Sequence, residues 1–335
     1  MEPTVTVCVT NYNHEKYIKR CIDSLLNQVY KNIIIEVYDD CSIDKSIDIL
    51  KSYGDKINLT IYEKNRGVSE LYSTLNHSIE NCKSDFWYYI DGDDSVEPDY
   101  INNLMIVAKT YPEANWVYGG LNIIDENDNV TNRWDYHGWP LESKAILKFG
   151  WKTCSVPLPH HGIMGTKFLQ DNKIRWSNVN NGWGIDTLFC LDACLHNPSV
   201  IYVNNNSGHN WRVHSSNQSF NVLRRINLIP IVKDWYEENV EPEDYLDHKI
   251  YTDAVQEYKK TDIVDNLEAA KDYLIAVSIL NMKKNFVLPS MFTKEDSDVK
   301  THINVLDESI RNYCDRSLGW SKKYEHQINW IINQL

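Results

Sequence analysis

The sequence predicts an α/β protein, with a mostly parallel sheet flanked by helices and a helical C-terminal region. Three observations carry that prediction. Short β-rich runs alternate with amphipathic segments of helix length over the first hundred residues. These runs are apolar at consecutive positions, as strands covered on both faces are. Beyond about residue 221 the apolar spacing becomes helical, as in 253–284 and 302–335.

The elements follow in order. VTVCVT (5–10) is a strand and NYNH a turn. EKYIKRCIDSLLNQ (15–28) is a helix with Ile18, Cys21, Ile22, Leu25 and Leu26 on one face. NIIIEVYDD (32–40) is a second strand, and SIDKSIDILKSYG (42–54) a second helix with Gly54 near its end. NLTIYEKN (58–65), SELYSTLNHSIENC (69–82) and FWYYIDGDD (86–94) add a strand, a helix and a fourth strand. Such spacing implies right-handed β-α-β units, whose ligands lie beyond the carboxyl ends of the strands. Three of the four strands end in polar clusters: Thr10-Asn11-Tyr12-Asn13, Asp39-Asp40 and Asp91-Gly92-Asp93-Asp94. From about 105 to 220 tryptophan and histidine become frequent and loop-like stretches appear. The expected divisions are 1–105, 106–220 and 221–335.

Bulk properties narrow the class. Of 335 residues 42% are hydrophobic and 24% charged, ordinary for a globular protein. No apolar stretch approaches the roughly 20 residues of a membrane span, and MEPTVTVCVT lacks the pattern of a signal peptide. A cytoplasmic protein without an integral membrane segment is expected. The eight cysteines form no CxxC pair and read as reduced and mostly buried; Cys190 and Cys194 could share a helix face in the core. A net charge of −13 disfavours a broad nucleic-acid-tracking surface.

Three aspartates at a strand exit suit a hard divalent cation such as Mg²⁺ or Mn²⁺, which takes oxygen ligands and substrate phosphates. A solvated acidic turn is the alternative for an isolated motif. The segments VTVCVTNYNHEKYIKRCIDSLLNQ, VYDDCSID, NRGVSELYSTLN and YYIDGDDSVEPDY, in order across residues 4–100, resemble the N-terminal half of family 2 glycosyltransferases of the GT-A fold. That resemblance implies Thr10 and Tyr12 in a nucleobase pocket, and Asp40, with Asp39 beside it, accepting uracil N3–H. It implies Asn65, opening the Asn-x-Gly segment, as a further donor-binding position. Asp91, Asp93 and Asp94 would be the ribose and metal-diphosphate acids, and a UDP-sugar with Mn²⁺ or Mg²⁺ the donor set. Read without it, Tyr12 is a core aromatic and Asp39-Asp40 a capping pair.

Later segments resemble the family less closely. In NGWGIDTLFCLDA the usual Glu-Asp pair is Ile185-Asp186, so Asp186 matches the catalytic base, with a helix N-cap as its other role. HNWRVHSSNQS matches a loop that folds over the diphosphate, making Arg212 a donor ligand and His214 a metal ligand, with His209 close enough to compete. His160-His161 could meet acceptor or diphosphate. Among Trp134, Trp139, Trp151, Trp176 and Trp183, the last stands out as a sugar-facing ring because it lies between glycines just before Asp186.

The implied reaction is inverting transfer, with Asp186 as general base. The acceptor is a saccharide hydroxyl ahead of a hydroxymethylated pyrimidine in DNA. The latter would need basic residues such as Arg133, Lys167, Lys173, Arg175, Arg224 and Arg225 gathered near the crevice. A haloacid-dehalogenase-like phosphatase, with Asp91 as nucleophile, and a non-catalytic sugar-nucleotide-binding protein are the rivals. The C-terminal helices could bind acceptor or form a homo-oligomer.

Overall fold

The computed structural model describes residues 2–134, 141–147, 161–178, 185–214, 231–232, 234–236 and 238–241. The chain forms two compact units, residues 1–146 with 157–218, and residues 147–156 with 219–335. In the second unit Val232 and Tyr236 are buried, and the Tyr236 hydroxyl donates to the Leu147 carbonyl at 2.6 Å. The rest of the expected helical region, and any association through it, lies outside the described residues.

The first unit carries the expected alternation. It runs β1 (Val5–Asn11), α1 (Ile18–Leu26), β2 (Ile33–Asp39), α2 (Ser46–Lys51), β3 (Asn58–Ile61), α3 (Leu71–Asn81), β4 (Phe86–Asp91), β5 (Ser95–Val96) and α4 (Tyr100–Thr110). Then come β6 (Trp116–Tyr118), β7 (Gly120–Ile124), β8 (Val130–Trp134), β9 (Ile163–Gly165), α5 (Thr166–Asp171), α6 (Ile185–Leu195), β10 (Val200–Tyr202) and β11 (Gly208–Arg212).

A seven-stranded sheet has the order β10-β6-β9-β4-β1-β2-β3. It is parallel except at β9, which runs antiparallel between β4 and β6. The apolar runs of β1 and β4, and the later part of β2 from Ile35, are buried because helices cover them. Ile18, Cys21, Ile22 and Leu25 of α1 and Tyr100, Ile101, Leu104 and Met105 of α4 join Val5, Val7, Val9, Val37, Tyr88 and Ile90 in one core. Cys190 and Cys194 are both buried on α6, and burial pushes the Cys194 thiol up to about 12. No helix among the described residues is long and apolar enough to cross a membrane.

A second, four-stranded sheet has the order β5-β11-β7-β8. Here the structure departs from the sequence reading, which places the residues around Arg212 in a loop. Residues 208–212 are a strand instead, antiparallel to β5 and parallel to β7. Its polar residues are satisfied laterally: Asn122 Nδ2 donates to Asn210 Oδ1 at 2.8 Å, and Arg133 Nη1 to Asn122 Oδ1 at 2.7 Å.

Candidate active site

The parallel register brings the polar strand ends together. Thr10 lies between Tyr38 and Asp91, and Asn11 beside Asp39. The turn after β1 is stitched to the turn after β2, because Asn13 N donates to Ser42 Oγ at 2.9 Å and Ile43 N to Asn13 Oδ1 at 2.8 Å. Asn13 takes a left-handed φ of 57°, which asparagine tolerates better than most residues. This turn leaves Tyr12 40% exposed rather than in the core.

The adjacent aspartates divide their work. Asp39 is fully buried; it accepts from Asn11 Nδ2 at 2.6 Å, Ser42 Oγ at 2.7 Å and Ser42 N at 2.8 Å. It braces the two turns. Asp40 is partly exposed and faces the Asn65 segment, accepting from Arg66 N at 3.0 Å and Gly67 N at 2.9 Å. Gly67, at φ 73°, makes that approach possible. Asn65 itself is exposed. Arg66 stacks over Tyr62 at 3.5 Å and donates to Ser73 and Thr74, so the segment is anchored on α3.

The three acids after β4 also divide. Asp91 Oδ1 accepts from the Tyr89 hydroxyl at 2.5 Å and from Thr10 Oγ1 at 3.2 Å. Asp93 Oδ2 lies 2.9 Å from His214 Nε2. Burial opposes ionisation of Asp93, but the His214 hydrogen bond and the charges of His14 and His214 hold its carboxyl below the ordinary value. Asp94 is turned inward: Oδ1 accepts from Arg212 N at 2.8 Å, and Oδ2 lies 3.0 Å from His209 Nε2. Burial, with the charges of Asp93 and Asp91, pushes the Asp94 carboxyl well up. Burial pushes the His209 ring down to about 4.

Adjacent tyrosines on β4 serve opposite faces, as strand geometry requires. Tyr89 supports Asp91, whereas Tyr88 lies 2.6 Å from His209 Nδ1. Gly92 lets the acids turn back over β1, since a Cβ there would sit 2.8 Å from Asn11 Oδ1 and 2.9 Å from Thr10 O.

Arg212 is placed differently from the diphosphate-facing position the sequence suggests. Its guanidinium is 1% exposed and donates to Asp93 O at 2.7 Å, Asp125 O at 2.8 Å and Asp128 Oδ1 at 2.6 Å. It also lies over the Tyr17 ring at 4.8 Å, and Tyr17 stacks on His214 at 5.0 Å. The arginine therefore ties the β7–β8 turn to the acids. His14, Tyr17, Tyr88 and Tyr89 are site residues that motif reading does not single out. His14 stands in the NYNH turn, Tyr17 at the start of α1, and Tyr88 and Tyr89 in the apolar run before the acids, which is the only signal they give.

The donor set can be tested against a divalent cation. Among the described residues no group of three or more His, Cys, Asp or Glu side chains could by itself hold a metal ion. Asp93 and His214 nevertheless form a carboxylate–imidazole pair. Beside them the buried His14 Nδ1 has no hydrogen-bond partner and lies 4.0 Å from Asp93 Oδ1. A set with few protein ligands fits a cation that completes its shell with phosphate oxygens and water. Asp94 is the poorer fit as a ligand, because it is 4% exposed and turned to β11, with one oxygen on the Arg212 amide and the other on His209 Nε2.

Asp186 is exposed in the first turn of α6, and no described hydrogen bond or ion pair joins it to the acids. Trp183 and His160 lie outside the described residues. His161 is buried, its ring 5.1 Å from that of His209. Trp134 is 46% exposed and 5.9 Å from Trp211. Arg175 pairs with Glu80 at 3.1 Å, Lys167 with Asp171 at 4.0 Å, and Arg133 donates to the carbonyls of Asn205 and Asn206. Arg224 and Arg225 lie outside the described residues.

The model of a known family, Glycosyl transferase family 2, matches residues 6–173, which contain the whole Thr10–Asp94 arrangement. The chain belongs to family 2 of the glycosyltransferases. An uncharacterized glycosyltransferase of Rickettsia typhi is 37% identical over 128 residues, 38% of this chain and 39% of that protein. The chain thus matches about two-fifths of that relative's length. Among solved structures, S. aureus TarS 1–349 in complex with UDP-GlcNAc superposes with a TM-score of 0.56 at 18% identity, covering 94% of this chain and 82% of that one. A mannosyltransferase of Pyrobaculum calidifontis, in complex with GDP-Man and Mn²⁺, superposes with a TM-score of 0.52 at 13% identity, covering 96% and 89%. The family 2 chain described here has the GT-A fold of these enzymes.

Proposed function

We propose that this chain transfers a glycosyl group from a UDP-sugar to an acceptor hydroxyl, with inversion at the anomeric carbon. The observation that carries the reading is the convergence, at the carboxyl ends of β1, β2 and β4, of Asp40, Asp91 and the Asp93–His214 pair. A carboxylate offers about four acceptor sites, so Asp40 can accept uracil N3–H beyond its bonds to Arg66 and Gly67. Cytosine has no proton at N3, which makes the same carboxylate a selector. Tyr12 supplies an exposed ring face for the base, with Asn65 at the edge of the pocket. Thr10 and Asp91 face the ribose. TarS in complex with UDP-GlcNAc supports a UDP-sugar as donor.

Asp93 and His214 would hold Mn²⁺ or Mg²⁺, and the imidazole favours Mn²⁺. A cation bound there supplies neutralisation of the charge that builds on the leaving diphosphate. Arg212 keeps both ligands in place through Asp93 O and the Tyr17 ring. Asp186 takes the proton of the acceptor hydroxyl. The hydroxyl oxygen then bonds to the anomeric carbon while the bond to the diphosphate oxygen breaks, and that electron pair leaves with UDP. A saccharide acceptor is preferred to DNA because Arg133 and Arg175 are engaged within the chain and the net charge is −13.

The test is Asp186→Asn. Loss of a general base lowers the transfer rate by about 10²–10⁴-fold while donor binding by calorimetry stays at the wild-type value. Transfer at the wild-type rate would reduce Asp186 to a helix-start residue.

A further inference from the structure

From the inward-facing Asp94, we infer that this carboxyl is a positioning residue that hangs strand β11 at the height where His214 meets Asp93, and is not itself a metal ligand. Asp94 is 4% exposed and both its oxygens are committed to β11, one to the Arg212 amide and one to His209 Nε2. The far nitrogen of His209 is closed by the Tyr88 hydroxyl, in the core beneath the sheet. The acid therefore crosslinks the β4–β5 corner to two points on β11. One of them, His209, is itself paired with Val96 in the β5–β11 register, and the other, Arg212, lies two residues beyond the Asn210–Ser95 pair. On the β4–β5 side that short ladder is a weak tether, since β5 has only two residues, whereas β7 holds the other edge of β11 over Gly208–Arg212. Two residues after the Arg212 amide, the chain delivers His214 Nε2 to Asp93. Neighbouring aspartates thus share a motif but not a task, Asp93 facing the site and Asp94 fastening the strand that supplies its partner.

The chemistry separates the two roles. Asparagine at position 94 keeps a carbonyl for the Arg212 amide and presents an NH₂ group to His209 Nε2. The ring proton then sits on Nδ1, facing the Tyr88 oxygen, which can accept it. Asp94→Asn preserves every bond that positions β11 but removes any charge that a cation would need. Asp94→Ala removes both bonds and leaves buried donors unpaired.

The first arm of the test needs no ligand. Metal-free protein is treated with diethyl pyrocarbonate, and modification of His214 is read by peptide mass. The wild type and Asp94→Asn should protect His214, whereas Asp94→Ala should expose it. If Asp94→Ala does not fold, His209→Ala, which cuts one of the two bonds, should raise His214 modification in its place. Equal protection in the folded Ala variants would overturn the inference.

The second arm rests on the proposed donor reading and measures Mn²⁺-dependent UDP binding by calorimetry. Loss of a supporting partner weakens metal affinity by about 10–100-fold, expected for Asp94→Ala, with Asp94→Asn near the wild type and Asp93→Asn without Mn²⁺ dependence. Asp94→Asn as damaging as Asp93→Asn would show that Asp94 is a ligand. Wild-type protein that binds no UDP would sink the donor reading, while the modification arm still decides the role of Asp94.

Discussion

Asp39 and Asp40 are neighbours with opposite surroundings, and that contrast shows what single residues contribute. Asp39 is spent on Asn11 and Ser42; Asp40 points at the amides of Arg66 and Gly67 and remains partly open. Removing the acceptor by Asp40→Ala should weaken UDP binding by about 1.5–3 kcal/mol, the range for a hydrogen bond to a charged group, and calorimetry measures it directly. At Gly92 the constraint is steric. A methyl group there meets Asn11 and the Thr10 carbonyl, so Gly92→Ala should destabilise by about 1–3 kcal/mol through overpacking, read as a lower melting temperature. The types and positions of these residues are legible in the sequence. Their division is not, because the direction of a side chain at a strand end depends on which strand lies beside it. Nothing within DGDD says that Asp93 and Asp94 meet different histidines from one distant stretch of chain.

Elements differ in how much of themselves they reveal. The apolar runs of β1, β2 and β4 and the one-sided spacing of α1 announce themselves, because burial by helices is written into residue type. Strand β11, GHNWR, has no such pattern; its burial is made tolerable by Asn122, Arg133 and Asp94, which lie far away in the chain. Strand β9 runs antiparallel among parallel neighbours and is likewise invisible to a local pattern. Helix α6 carries a different tension. Burial raises the Asp192 carboxyl above its ordinary value, with the Arg175 backbone hydrogen bond and the charges of His196 and Arg175 opposing. A raised folded value means that ionisation costs the folded state more than the unfolded one. The folded state is therefore favoured below the unfolded value and loses that advantage as pH rises through the folded one. Asp192→Asn should accordingly raise the melting temperature at neutral pH, with the gain vanishing in acid where both states are protonated. A gain independent of pH would contradict the assignment to burial of charge.

For the whole molecule, the order of β-α units identifies the fold, and the ordered segments across residues 4–100 carry the family's signature in the sequence itself. What stays hidden there is the second sheet, which carries His209, Arg212 and His214 to acids more than a hundred positions earlier in the chain. The proposed donor site depends on that meeting. It is tested most directly by calorimetric titration of UDP into the wild-type protein with Mn²⁺ and again with EDTA, with GDP as the comparison nucleotide. The expected result is UDP binding that is strengthened by Mn²⁺ and exceeds GDP binding. Absence of UDP binding in both conditions, or GDP binding as tight as UDP, would contradict the proposed donor site.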